Sequence, residues 1–147
     1  MNEFLWGITH NHVLKVSLLA WLIAQVLKVV FNIISYGKLD LTRLMGSGGM
    51  PSSHTALVLA MATGVGKYRG WESIDFAVAA VLAAVVMYDA AGVRRAAGRQ
   101  AEVLNQIISD IYSGTQITHE SLKELIGHTP FEVLVGAILG IVIALIF

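Results

Sequence analysis

Two histidines in this chain stand beside residues suited to handling an anion. His54 follows Gly48-Gly49-Met50-Pro51-Ser52-Ser53, a run of turn formers that opens onto an apolar segment. His128 is followed four residues later by Glu132, so on a helix the two side chains share a face. Cations lie at Lys28, Arg43, Arg94 and Arg95, and Asp89 sits just ahead of the last two. Phosphoryl transfer needs cations on the equatorial oxygens, an in-line nucleophile and an acid for the leaving oxygen. A histidine can be that nucleophile when a carboxylate orients its far nitrogen. Backbone N–H groups where the segment after Pro51 turns helical could hold phosphate oxygens, because a helix N-terminus is an anion site.

Other chemistries fit less well. There is no His-Glu-x-x-His spacing and no acidic cluster of the kind magnesium prefers. The chain has no cysteine, which removes thiol nucleophiles, thiolate metal sites and disulfides. No cofactor is implied. Ten basic residues balance ten acidic ones, so nothing points to nucleic acid.

These residues need elements to position them. Only 14% of the chain is charged and 56% is hydrophobic, with a mean hydropathy of +0.70. Soluble domains carry roughly 25% charged residues. Four apolar stretches follow, over residues 13–36, 53–68, 74–93 and 129–147. A membrane-spanning helix needs about 20 mostly apolar residues. The second stretch is short and reads as tilted or partly re-entrant. The expectation is an all-α integral membrane bundle, a single domain over residues 1–147 with four transmembrane helices. A soluble bundle of buried helices would need a polar coat that this chain lacks. The N-terminal residues lack a basic region and a small-residue cleavage site, so no signal peptide is expected.

Residues 94–127 read as an extramembrane insert. Val103, Leu104, Ile107, Ile108 and Ile111 recur with helical spacing between polar residues, which predicts an amphipathic helix broken at Ser113-Gly114-Thr115. A short second helix is expected near residues 118–126. Such helices lie on the interface, cover a site or simply connect spans.

With four crossings, the end of the first span, the start of the second, the end of the third and the start of the fourth share one face. The reactive residues sit at those four places. Chance placement would scatter them over both faces.

At these positions the chain resembles a known superfamily. Met50-Pro51-Ser52-Ser53-His54 is similar to the Pro-Ser-Gly-His motif of the type 2 phosphatidic acid phosphatases and vanadium haloperoxidases. His128-Thr129-Pro130-Phe131-Glu132, with Gly136 beyond, resembles that superfamily's closing motif. With Asp89-Ala90-Ala91-Gly92-Val93-Arg94-Arg95 between them, the pattern looks like a divergent bacterial branch. The resemblance implies a phosphatase acting on a lipid phosphate or pyrophosphate. It casts His128 as the nucleophile that becomes phosphohistidine and Glu132 as its support. His54 would be the acid–base partner, and Ser52, Ser53, Lys28, Arg43, Arg94 and Arg95 would bind phosphate. Apart from the resemblance, Asp89 sits deep enough to need a partner, and an arginine one turn on would make it a supporting residue. Ser53 stands for the family's glycine and Glu132 for its aspartate, and the arginines lie farther ahead of His128 than in the family pattern.

Plainer roles compete with these. Thr129 to Glu132 fits a capping box with Pro130 at the first helical position. Ser52 or Ser53 fits an N-cap. Lys28 could snorkel toward the face, and the arginines could anchor headgroups. Gly136 and Gly140 would permit close packing, within the bundle or between subunits. Two other functions remain open: a phosphate- or lipid-binding membrane protein of the same fold without turnover, and a small transporter. Membrane lipids are expected partners in every case. The site face carries Lys28, Lys38, Arg43, Arg94, Arg95, Arg99 and Lys123 against Lys15, Lys67 and Arg69 opposite, which favours a cytoplasmic face of the cell membrane.

Overall fold

A computed structural model of the chain describes residues 2–37, 49–112 and 128–147, with backbone alone at residues 35–36, 93–95 and 110–112. The described elements are helices: α1 (Glu3–His10), α2 (His12–Tyr36), α3 (Ser53–Arg69), α4 (Ile74–Tyr88), α5 (Arg94–Tyr112) and α6 (Pro130–Ile146). Four of them open on the side chain expected at an N-cap. Asn11 starts α2, Ser52 α3, Ser73 α4 and Thr129 α6, each accepting a hydrogen bond from an N–H of the first turn. Gly37 ends α2 in the left-handed region at φ 65°, a conformation that costs glycine nothing.

The four apolar stretches therefore become α2, α3, α4 and α6, with bounds close to those expected. Two features differ. The chain before residue 12 forms α1, set off from α2 by Asn11, the cap of the second helix. The expected boundary at Arg94 is also absent. A π-helical turn, Asp89–Val93, joins α4 to α5 without a break. Ala, Arg, Gln and Glu dominate residues 94–102, all good helix formers, so the composition turns polar while the helix continues. The expected break at residues 113–115 and helix at 118–126 lie outside the described residues.

Helix α3 is the centre, packed against α2, α4 and α6. Small residues make that possible. Ala20, Ala60 and Ala144 join Val16 and Ile143 in one seam, and Ala62, Ala79 and Ala83 join Val58 in another. Gly136 and Gly140 bring α6 onto the backbone of α3: a β-carbon at either would strike the carbonyl oxygen of Ser52 or Ala56. The pairings 136 with 52 and 140 with 56 run parallel, so α3 and α6 start at the same end. Helix α2 runs the other way, with Lys28 beside Ser53 and Val13 beside Gly64. At the far end, Lys67 Nζ donates to the Ala144 and Leu145 carbonyls at 3.4 and 3.3 Å, and His12 Nε2 lies 2.8 Å from the Phe147 main-chain oxygen.

The large apolar side chains point outward. Leu22, Val26 and Ile34 on α2, Ile74, Val78 and Val85 on α4, and Leu134 and Ile138 on α6 are all exposed, while alanine, glycine and polar residues, with Val16, Val58, Val133 and Ile143, fill the inside. This reverses the arrangement of a water-soluble core and suits helices packed in lipid. Two helical runs, His12–Ile34 and Ile74–Ser109, are long and apolar enough to cross a membrane. Helix α6 is apolar but shorter, at 17 residues.

The glycine contacts yield a direct test. Gly140→Leu pushes a side chain into the Ala56 carbonyl, a backbone group that cannot step aside, and overpacking of this kind costs about 1–3 kcal/mol or more. Its thermal unfolding midpoint in detergent is expected to fall clearly below that of the unmodified protein. Gly7→Ala, where nothing lies within 4 Å, is expected to leave the midpoint unchanged or raise it slightly. Equal midpoints for Gly140→Leu and the parent would remove the close α3–α6 packing.

Candidate active site

The site begins with the capping box of α6. Pro130 at the first helical position lacks an N–H that would have no partner there. Thr129 Oγ1 accepts from the Glu132 N–H at 3.3 Å, and the Glu132 carboxylate reaches back to accept from the Thr129 N–H at 3.0 Å. That same carboxylate oxygen, Oε2, lies 3.1 Å from His128 Nδ1. The cap and the His–Glu pair are one construction. Glu132 is anchored by backbone before it meets the imidazole, and it lies where the helix dipole favours a negative charge.

His128 is held on its other side as well. Its backbone N–H donates to the Ala90 carbonyl at 3.1 Å, tying the start of α6 to the π-turn after α4. The ring is 2% exposed. The backbone of Glu132 does a further job, accepting from the Ser52 N–H at 3.1 Å. Because Gly136 carries no side chain, the segment Pro51-Ser52 can lie against the first two turns of α6.

Ser52 caps α3. Its Oγ accepts from the Thr55 N–H at 3.4 Å and from the Thr55 hydroxyl at 2.9 Å, which leaves its own proton as its donor. Ser53 Oγ accepts from Lys28 Nζ at 3.1 Å. Lys28 is 3% exposed, so it does not snorkel; it turns into the bundle beside the α3 N-terminus. Gly49, at φ 84°, leads the chain into this turn in a conformation that strains other residues. The result is a buried ammonium, two buried hydroxyls and the amide groups of a helix start, grouped with a carboxylate-held imidazole. Such a set can receive an anion and present a nucleophile to it.

The contacts thus link Lys28, Ser52, Ser53, His128 and Glu132. His54 occupies the first turn of α3, half-buried and next to Ser53. Asp89 is half-buried and begins the π-turn, one residue before the carbonyl that holds His128. Arg94 and Arg95 open α5, with their side chains outside the description. Arg43 lies outside the described residues. Gly136 and Gly140 are spent on α3 of the same chain.

Sequence reasoning missed two members. Ala90 acts through its carbonyl, and no side-chain signal announces that. Thr55 was legible as the third residue after a serine cap. Among the described residues, no group of three or more His, Asp or Glu could hold a metal ion.

Known proteins bear on this arrangement. The Divergent PAP2 family matches residues 9–143. The chain is 42% identical over 147 residues to the uncharacterized membrane protein YuiD of Bacillus subtilis (strain 168), covering 92% of this chain and 93% of that one. No solved structure matches. The match runs through every element of the candidate site, from Lys28 in α2 to Glu132 in α6, and the chain belongs to the Divergent PAP2 family of membrane proteins.

Proposed function

We propose that this protein is a membrane-embedded phosphatase that hydrolyses a lipid phosphate or pyrophosphate through a phosphohistidine intermediate. The carrying observation is the His128–Glu132 pair, with Nδ1 engaged by a carboxylate that the backbone already fixes. Nδ1 held in this way makes Nε2 the nucleophilic nitrogen. It attacks phosphorus, the P–O bond to the lipid breaks, and His54 gives its proton to the leaving oxygen. Water then attacks the phosphohistidine with His54 as base, releasing inorganic phosphate and restoring His128. Lys28, the serines and the α3 amides stabilise the charge on the equatorial oxygens. Burial of the imidazole keeps bulk water from the reacting nitrogen.

In this reading α2, α3, α4 and α6 all cross the cell membrane, and the excess of Lys and Arg favours a cytoplasmic face for the site. The same arrangement without turnover would be a phosphate- or lipid-binding protein. A transporter is less well supported, because the buried charge lies at one end of the bundle rather than along a path through it.

Release of inorganic phosphate from a panel of lipid phosphates, in detergent with EDTA present, tests the chemistry. Turnover that survives chelation is expected. His128→Ala should abolish both turnover and any acid-labile phosphoenzyme. His54→Ala should slow turnover by about 10²- to 10⁴-fold yet still form phosphoenzyme, most visibly with a leaving group that needs no proton. Phosphoenzyme on His128→Ala but not on His54→Ala would reverse the two roles. No release across the panel would favour the binding protein.

Topology has its own test, made simple by the absence of native cysteine. Single cysteines at Lys38, Arg99 and Lys123 should be labelled from one side of the membrane. Those at Glu3 and Glu72 should be labelled from the other. Labelling of Arg99 and Glu72 positions from the same side would overturn both the four crossings and the shared face.

A further inference from the structure

We infer that a groove between α4 and α6 holds the hydrocarbon tail of the lipid phosphate, and that Trp71 with Phe76 limits how deep the tail reaches; this rests on the phosphatase reading. The groove has a volume of about 450 Å³. Helix α3 forms its floor at Leu59 and Thr63, while Ala80 and Met87 on α4 and Ile141 on α6 form its sides. Thr63 brings the only hydroxyl among the lining residues, so the interior suits hydrocarbon and offers little to a headgroup.

Its ends give it a direction. Met87 lies three residues before Ala90, whose carbonyl holds the His128 backbone. A tail attached to a phosphate at His128 therefore enters beside Met87 and runs away from the site. From Met87 to Phe76 is eleven residues of helical chain, roughly 16 Å at about 1.5 Å per residue. That is close to one leaflet, half of a hydrocarbon core of about 30 Å. A single acyl or prenyl chain fits this course.

The far end is built from aromatic rings. Trp71 and Phe76 meet edge to face with centroids 5.2 Å apart and planes at 81°. Trp71 is seated on Gly66, where any β-carbon would strike the indole. Ala80, half-buried in the wall, and Ala83, buried beneath it, keep the channel open by their small size.

The test uses the whole protein in lipid-detergent micelles and phosphatidic acids of short and long tail, some ending in a photoactivatable diazirine. Adducts on the unmodified protein should map to the walls of the groove, with long tails reaching the Trp71–Phe76 end. Ala80→Phe should lower turnover of the long-tailed substrate on the order of tenfold or more and spare the short-tailed one. Trp71→Ala should move the preference toward longer tails. Adducts in the groove without phosphate release would keep the tail site and sink the phosphatase reading. Phosphate release with adducts elsewhere, and a tail-length profile indifferent to Ala80→Phe, would overturn the groove and leave the phosphatase standing. Adducts joining two copies of the chain through this groove would assign it to a subunit contact and overturn the proposal.

Discussion

The close parallel contact between the starts of α3 and α6 is the constraint on which the rest depends. Gly136 and Gly140 let α6 rest on the carbonyls of Ser52 and Ala56, and the Ser52 N–H closes on the Glu132 carbonyl at 3.1 Å. Both helices therefore begin at one level. Their N-terminal amides, their capping side chains and the positive ends of their dipoles converge. A pair of ordinary antiparallel neighbours would set one N-terminus beside one C-terminus, and the two fields would largely cancel. Here they add. Lys28, delivered from α2, brings its Nζ to 3.1 Å from Ser53 Oγ at the same place.

Glu132 shows why a structural and a functional reading need not compete. A capping box asks for a carboxylate that turns back toward the residue before the helix. An oriented histidine asks for a carboxylate beside Nδ1. His128 stands one residue before the cap Thr129, so a single oxygen meets both demands. Glutamate, one methylene longer than aspartate, is the side chain a capping box calls for at this position. The substitution relative to the family pattern is thus accounted for by the local backbone.

Much of this was legible in the sequence because charge, glycine and proline mark the ends of apolar helices. The starts of α3 and α6 follow from the Ser52-Ser53 cap and from Thr129-Pro130. The grouping of His128 and Glu132 with Ser52 and Ser53 at one end was expected from counting reversals of direction. Less was legible where the signal is not carried by a side chain. Ala90 contributes a carbonyl, and the π-turn at Asp89–Val93 continues the apolar stretch of α4 with no charge or proline to mark a change in winding after Asp89. The continuity of α4 into α5 was hidden for a related reason: polarity rises at Arg94, but helix propensity does not fall. The inward course of Lys28 was open between two readings, since a long side chain near a helix end can reach either way. Its burial against Ser53 decides between them.

The same packing logic accounts for where polar groups are allowed. In lipid there is little hydrophobic force between helices, so contact area and hydrogen bonds hold them together. The alanine and glycine seams provide the contact over most of the length of α3, with Val16, Val58 and Ile143 the larger side chains that share them. Polar side chains can enter where seams end and the helix termini offer unpaired amides to satisfy them. Ser52, Ser53, Thr55, Lys28 and His128 are buried at one such end. At the other end Lys67 and His12 are spent on the last carbonyls of α6 and the Phe147 oxygen. Lys67 there closes off the carbonyl end of α6, whereas Lys28 stands at the amide end of α3. The first end is the one that also holds the carboxylate-oriented imidazole.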